Sequence, residues 1–270
     1  MSKLETISFN FGTNILKVQT TSRVGVKLWQ EIYDEVEEIV HTYKGLFDLN
    51  NTESTIIRFR QQPLEVPLKI PSAFSQYLKL SIQIAKNNEL TANKDLALLS
   101  EAQLDISETT VTKHQELRLV PVLAPILLVE EVRSVLDKNG LEDYLLTLDK
   151  HFIAKGANPW RVALMHPTTH EELALELKDN YLSLEIKTLK LDPSATKEAT
   201  DLLHNPFATH KPGPEILGII ISGEKPLDTY ILLQELIAFD HILPLRQRLE
   251  KTNVHLWIIK SDETIGEIGE

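Results

Sequence analysis

The chain has 270 residues, a formal net charge of −11 and no cysteine. The negative charge, with no basic cluster to offset it, argues against nucleic acid as a partner, because phosphate binding needs a concentration of Lys and Arg. The lack of cysteine excludes disulfides, thiolate metal sites, cysteine nucleophiles and a lipid anchor on cysteine.

Hydropathy and the opening residues predict the cellular location of the protein. The longest uncharged apolar runs, residues 119–129 and 216–222, are too short to span a bilayer, so we expect no membrane partner. The opening residues lead directly into a strand pattern and contain no signal-peptide core. Together with the absence of cysteine, these features predict a cytoplasmic protein.

The first part of the chain begins with a strand pattern and continues with a helix pattern. Residues 7–18 alternate as an opening strand that Gly12 interrupts. Residues 26–44 carry apolar side chains at three- and four-residue spacing, which predicts an amphipathic helix closed by Gly45.

Three further segments precede the middle of the chain. A turn and a short polar helix are predicted within residues 48–60, and a second helix over residues 72–86. Residues 87–115 have weak periodicity, so we predict loop with one short helix there.

The middle of the chain has the element order of a binding unit. An apolar run over residues 117–123 predicts a strand, and a helix follows that begins near Pro125 and ends near Asn139. Two more strands are predicted over residues 144–148 and 161–165. Strand–helix–strand units often hold a phosphate group. Here, however, the joint between strand and helix contains two prolines and neither glycine nor lysine.

The last part of the chain is predicted to be rich in strands. Residues 173–177 and 182–186 alternate around a polar turn, which predicts a β-hairpin. Two apolar strands follow, over residues 216–221 and 254–259, with a helix between them. Because repeats and a clear linker are absent from the sequence, we predict a single α+β domain over residues 1–270, with antiparallel strands and packed helices. A division of that single domain into two lobes is compatible with the sequence.

Several short segments resemble the ApbE-type flavin transferases, the FAD:protein FMN transferases. Their shared order and spacing over nearly the whole chain carry the resemblance. The segments are Phe11-Gly12-Thr13, Leu46-Phe47-Asp48 with Glu53-Ser54, Pro159-Trp160-Arg161-Val162, His204-Asn205-Pro206 with Thr209, and residues 226–240 followed by 254–259. The resemblance implies an ApbE-like α+β fold.

The resemblance also implies a chemistry. In that family, Mg²⁺ assists cleavage of FAD at its pyrophosphate, and FMN passes to a threonine hydroxyl of a target flavoprotein. A metal is needed there to neutralise phosphate charge. FAD would be the cofactor, and a flavoprotein or another protein the partner. The matching positions here are Gly12, Thr13, Ser54 and Asn205 for cofactor binding, and His204 and Thr209 for catalysis.

At the positions on which this chemistry depends, the chain departs from the family. The family's turn of glycines and one lysine falls on residues 120–125, and its asparagine-glycine-glycine-aspartate turn falls near residues 148–151, without glycine. Its metal-binding aspartate and threonine fall on Tyr230 and Gln234, and Asn205 replaces another aspartate. We therefore predict no metal site, and the substitutions argue against Mg²⁺.

Three functions fit these observations. The first is a divergent relative, weak or inactive in flavin transfer, that binds a flavin, a nucleotide or a protein partner. The alternative is an active Mg²⁺-dependent FAD:protein FMN transferase with a relocated metal site, in which Thr209, His204 and Asp228 take part. The third is an unrelated small-molecule enzyme that reuses the cleft. The sequence leaves the oligomeric state open.

Overall fold

The computed structural model describes residues 4–87, 103–165, 172–189, 216–238, 253–260 and 265–268. The chain divides into two compact units. The first contains residues 1–142 and 146–149, and the second contains residues 143–145 and 150–270.

A β-hairpin opens the first unit. Strands β1 (Glu5–Phe11) and β2 (Asn14–Thr20) pair antiparallel around a two-residue turn. Gly12 in this turn has a φ of +59°, a conformation that glycine adopts without strain. The interrupted single strand predicted for residues 7–18 is therefore two strands, and the glycine lies where the chain reverses.

Four described helices belong to the first unit. They are α1 (Val26–Phe47), α2 (Thr55–Gln61), α3 (Ser72–Asn87) and α4 (Ala124–Lys138). Helix α1 continues past Gly45, where it was predicted to end, because Leu46 and Phe47 are buried in the core. It ends instead where the Asp48 N–H donates to the Lys44 carbonyl at 3.1 Å.

A small antiparallel sheet lies where loop was predicted. Its strands are β3 (Leu68–Lys69), β4 (Leu104–Ile106) and β5 (Thr110–Lys113), in the order β3-β5-β4. These strands have two to four residues each, which is too short for alternation to be recognised in the sequence. The short helix predicted within residues 87–115 is not found among its described residues, 87 and 103–115.

The strand predicted over residues 117–123 is wrong. This segment is a loop whose Leu117, Leu119 and Leu123 side chains are buried, so the apolar run reflects burial rather than a strand. Pro121 has no N–H to offer a sheet, and its carbonyl accepts a bond from Ala124 N at 3.0 Å. Helix α4 begins at Ala124.

The second unit is built mainly from antiparallel strands. They are β7 (His151–Lys155), β8 (Trp160–Met165), β9 (Glu172–Leu177), β10 (Asn180–Leu189), β11 (Ile216–Gly223), β12 (Val254–Lys260) and β13 (Ile265–Ile268). Their order is β7-β10-β11-β12-β13, with β8 and β9 as a separate pair. Helix α5 (Pro226–Ala238) follows β11, and β6 (Tyr144–Leu148) begins in the second unit and ends in the first.

The predicted hairpin of residues 173–177 and 182–186 is wrong in its pairing. Both segments are strands, but β9 pairs with β8, whereas β10 lies between β7 and β11. The sequence had not predicted β7. Because β7 and β11 occupy both edges of β10, no edge of β10 is left for β9.

The predicted fold class is confirmed. The described residues form an α+β protein with antiparallel sheets and packed helices. Within those residues, no helix is both long and apolar enough to cross a bilayer.

Candidate functional site

Gly12 and Thr13 lie in the exposed turn of the first hairpin. A Cβ atom built on Gly12 would meet nothing within 4 Å, so the described residues explain this glycine by its positive φ alone. A role for either residue in cofactor binding stays a prediction.

Ser54 is fully buried at the start of α2. Its hydroxyl donates to the Asp48 carbonyl at 2.7 Å, which closes the turn between α1 and α2. Two more bonds hold the same turn, from Asn50 N to Asp48 Oδ1 at 2.9 Å and from Glu53 N to Asn51 Oδ1 at 3.0 Å. Ser54 therefore has a structural role, and its predicted contact with a cofactor is untested.

His204, Asn205 and Thr209 lie outside the described residues. Their predicted roles, catalytic for His204 and Thr209 and cofactor-binding for Asn205, stay predictions. Of the three predicted site residues that the structure describes, Gly12 and Thr13 are chain neighbours in the first turn, and Ser54 lies at the start of α2.

The loop before α4 has few backbone donors to offer a phosphate group. Pro121 and Pro125 have no N–H, so the first turn of α4 has fewer amides to offer an anion. Arg60 Nε donates to the Leu119 carbonyl at 2.8 Å, which ties the loop to α2. Nearby, the buried Lys113 donates to the Arg60 carbonyl at 3.2 Å. These cations contribute to holding the loop in place.

A buried polar cluster lies in the second unit, on β7, β10 and α5. His151 is 1% exposed, and its Nδ1 lies 2.7 Å from the Tyr181 hydroxyl and 3.5 Å from the Ser183 hydroxyl. The Tyr230 ring meets the imidazole edge-on, with 5.0 Å between centroids. We call His151, Tyr181 and Tyr230 the histidine–tyrosine cluster.

The surroundings of His151 keep its imidazole neutral. Burial, with a smaller effect from the charge of Lys150, lowers the pKa of His151 to about 3. A neutral imidazole has one donor and one acceptor nitrogen, so it can exchange a single hydrogen bond with the Tyr181 hydroxyl without a buried charge.

The residues at the positions expected for a metal do not fit Mg²⁺. This ion prefers carboxylate and water oxygens, whereas Tyr230 and Gln234 are buried side chains of α5 and neither is a carboxylate. Asp228 is exposed, and its Oδ2 lies 4.0 Å from Lys225 Nζ. Across the described part of the chain, no group of three or more His, Asp or Glu residues could hold a metal.

The sequence did not predict the histidine–tyrosine cluster. His151 was noted only as the end of a segment that had lost its glycines, and Tyr181 and Tyr230 are far from it along the chain. The substitution at Tyr230 was the one available signal, because an aromatic ring in place of an aspartate indicates burial where the family has a polar site.

Comparisons with solved structures show which fold this is. The chain superposes on flavinyl transferase ApbE of Pseudomonas stutzeri with a TM-score of 0.67 at 16% identity, covering 99% of this chain and 96% of that one. On flavin transferase ApbE of Vibrio cholerae it superposes with a TM-score of 0.68 at 14% identity, covering 98% of this chain and 96% of that one. On the ApbE protein of Thermotoga maritima it superposes with a TM-score of 0.71 at 11% identity, covering 98% of this chain and 97% of that one.

The sequence itself matches no protein-family model and no curated protein. The likeness therefore lies in the fold, at low sequence identity and over nearly the full length of each chain. It confirms both the resemblance to the ApbE-type flavin transferases and the α+β prediction. The chain has the fold of the ApbE flavin transferases.

Proposed function

We propose that this protein is a divergent member of the flavin transferase group that is weak or inactive in FMN transfer and still binds a flavin or nucleotide. The observation that carries the loss of transfer is the histidine–tyrosine cluster, and the fold shared with the flavin transferases supports a retained flavin or nucleotide site. Its Tyr230 is a buried aromatic ring at the position where the resemblance implies a metal-binding carboxylate, and the neutral imidazole of His151 contacts that ring.

The chemical argument concerns the charge of the pyrophosphate. Cleavage between the two phosphates of FAD builds negative charge on the leaving group, which a metal ion or fixed cations must stabilise. The residues expected to hold the metal are Tyr230 and Gln234, and those expected to contact phosphate fall in residues 120–125, which lack glycine and lysine. A ligand can still bind without these groups, but the transfer step loses its main electrostatic support.

The proposal extends to a protein partner. The flavin transferases to which the chain is similar are named for moving a flavin, and a flavoprotein or another protein is the partner we propose for this chain. An active transferase with a relocated metal site is the outcome that would replace our proposal. In it, Asp228 would supply the carboxylate.

The test is a calorimetric titration of the purified full chain with FAD, with and without Mg²⁺, followed by a transfer assay. The assay mixes the chain, FAD and Mg²⁺ with an acceptor flavoprotein and uses mass spectrometry to detect FMN on its threonine. We expect FAD binding that Mg²⁺ does not tighten, and no labelled acceptor. An active ApbE protein is the positive control for the acceptor.

Two results would contradict the proposal. Mg²⁺-dependent labelling of the acceptor would show an active transferase, and loss of that labelling in Asp228→Asn would locate the metal site. Failure to bind FAD, FMN and ADP would refute the retained flavin or nucleotide site.

A further inference from the structure

A six-residue loop, residues 62–67, joins α2 to β3. Gln62 is buried, and its Nε2 donates to the Val66 carbonyl and, at 2.9 Å, to the Val111 carbonyl of β5. The prolines at positions 63 and 67 restrict φ on both sides of the turn. The freedom that remains is at the tip of the turn, around Glu65, and we call residues 62–67 the Glu65 loop.

Glu65 has a backbone conformation that is uncommon for a residue with a side chain. Its φ is +61°, in the left-handed region, where the Cβ atom crowds the backbone. Its N–H donates to the Lys113 carbonyl at 2.9 Å, and its Oε2 lies 2.8 Å from His114 Nδ1. Because these contacts hold Glu65 in place, loss of the His114 contact would favour its return to an ordinary conformation.

The imidazole of His114 lies between two carboxylates. Its Nδ1 faces Glu65, and its Nε2 lies 2.9 Å from Asp105 Oδ2 on β4. Ionised carboxylates only accept hydrogen bonds, so both bonds form only when both ring nitrogens carry a proton. The two bonds, with that to Asp105 the larger cause, raise the pKa of His114 above its usual value. Within the described part of the chain, Asp105 and Glu65 are the charged groups that act on this imidazole.

A neutral imidazole has one N–H for two acceptors. Asp105 is fixed by the ladder between β4 and β5, where it pairs with Thr112. Glu65, in contrast, gains by leaving its left-handed conformation. Loss of the proton therefore costs the bond to Glu65 rather than the bond to Asp105.

We propose that His114 is a pH-dependent link, which holds the Glu65 loop against β5 as an imidazolium and releases it as a neutral imidazole. The loop is held at lower pH and released as the pH rises through the raised pKa of His114. Leu64 and Val66 flank Glu65 and are 39% and 48% exposed. The link therefore determines how two apolar side chains are presented at the surface.

The test follows the ¹³Cα shift of Glu65, which reports its backbone conformation, by carbon-detected NMR of the full chain from about pH 5.5 to about pH 9. We expect this shift to titrate with the same midpoint as the His114 ring, and the methyl order parameters of Leu64 and Val66 to fall at the high end. In His114→Gln both readouts are expected to be constant. His41→Gln, which removes an exposed histidine of α1, is the matched control and is expected to titrate as the wild-type chain does.

Two further variants separate the carboxylates. In Asp105→Asn the amide can donate to Nε2 of a neutral imidazole, which leaves the Nδ1 proton for Glu65, so the loop is expected to stay in place over the whole range. Glu65→Gln is expected to weaken proton binding by His114 about two- to fivefold, the size typical of an exposed charge pair.

Two results would overturn the proposal. One is a Glu65 shift that stays constant in the wild-type chain while His114 titrates, and the other is a Glu65 shift that titrates in His114→Gln as it does in the wild-type chain. The first comparison uses the wild-type chain alone, so it decides the matter even if a variant fails to fold.

Discussion

Replacing His151 by glutamine is expected to reduce the loss of stability of the second unit on acidification. The pKa of His151 lies at about 3 in the folded chain, because the imidazole is buried, against 6.5 for an exposed histidine. Between these values the unfolded chain binds a proton that the folded chain does not, so the free energy of unfolding rises with pH. The sign is therefore a loss of stability on acidification.

The magnitude follows from the two pKa values. Each pH unit between them changes the free energy of unfolding by about 1.4 kcal/mol. On moving from neutral pH to about pH 5, the His151 contribution falls by about 2 kcal/mol, and at about pH 4 by about 3 kcal/mol. His151→Gln keeps a polar group near the Tyr181 hydroxyl but carries no titrating proton.

Urea unfolding at several pH values between about 4 and about 8 measures this difference. Trp160 and Trp257 belong to the second unit and Trp29 to the first, so a Trp29→Phe background makes fluorescence report the second unit. His41→Gln, which replaces an exposed histidine of α1, is the matched control. If His151→Gln and the wild-type chain lose stability in parallel on acidification, the inference of a buried neutral imidazole is refuted.

Other predictions concern two glycines and a surface histidine. Gly223→Ala is expected to lower the free energy of unfolding by about 1–3 kcal/mol, because a methyl group there would lie 2.4 Å from Thr229 Oγ1. Gly45 lies inside α1 with open space around it, so Gly45→Ala is expected to raise the free energy of unfolding by about 0.5–1 kcal/mol. Urea unfolding of both variants checks the predicted decrease for Gly223→Ala and the predicted increase for Gly45→Ala. Hydrogen bonds to two carboxylates raise the pKa of His114, so its stabilising effect is full below about pH 6.5 and is lost as pH rises through the raised value. An NMR titration that gives His114 a pKa at or below 6.5 would contradict this.

The helices and longer strands could be predicted because their signals are local. Periodic apolar spacing identified most of α1, and continuous apolar runs identified β6, β11 and β12. The predictions were wrong where tertiary contacts determine the conformation or the strand pairing. Loop residues 117–123 are apolar because the loop is buried, and the pairing of β9 and β10 depended on β7, whose short sequence gave no strand signal.

From the sequence, the candidate site could be described only as a set of positions at which the chain differs from the ApbE-type motifs. Motif matching selected Ser54, but the bond of its hydroxyl to the Asp48 carbonyl serves the local turn. His151 could not be found because the burial that lowers its pKa arises only in the folded chain, where Tyr181 and Tyr230 reach the imidazole from other elements. A departure from a known motif is visible in a sequence, whereas the packing of the residues at those positions is not.

The packing around Tyr230 bears on whether one substitution could create a metal site there. Tyr230→Asp would remove a buried ring, which typically costs about 3–5 kcal/mol, and would place a carboxylate beside the neutral His151. The stable response to that arrangement is proton uptake by the pair, since a buried carboxylate is costly without a counter-charge. A Mg²⁺ ion would also need further oxygen ligands, and Gln234 is already buried on the same helix. A Mg²⁺ site at this position would therefore need several concerted substitutions, because the ring and the imidazole are part of the core of the second unit.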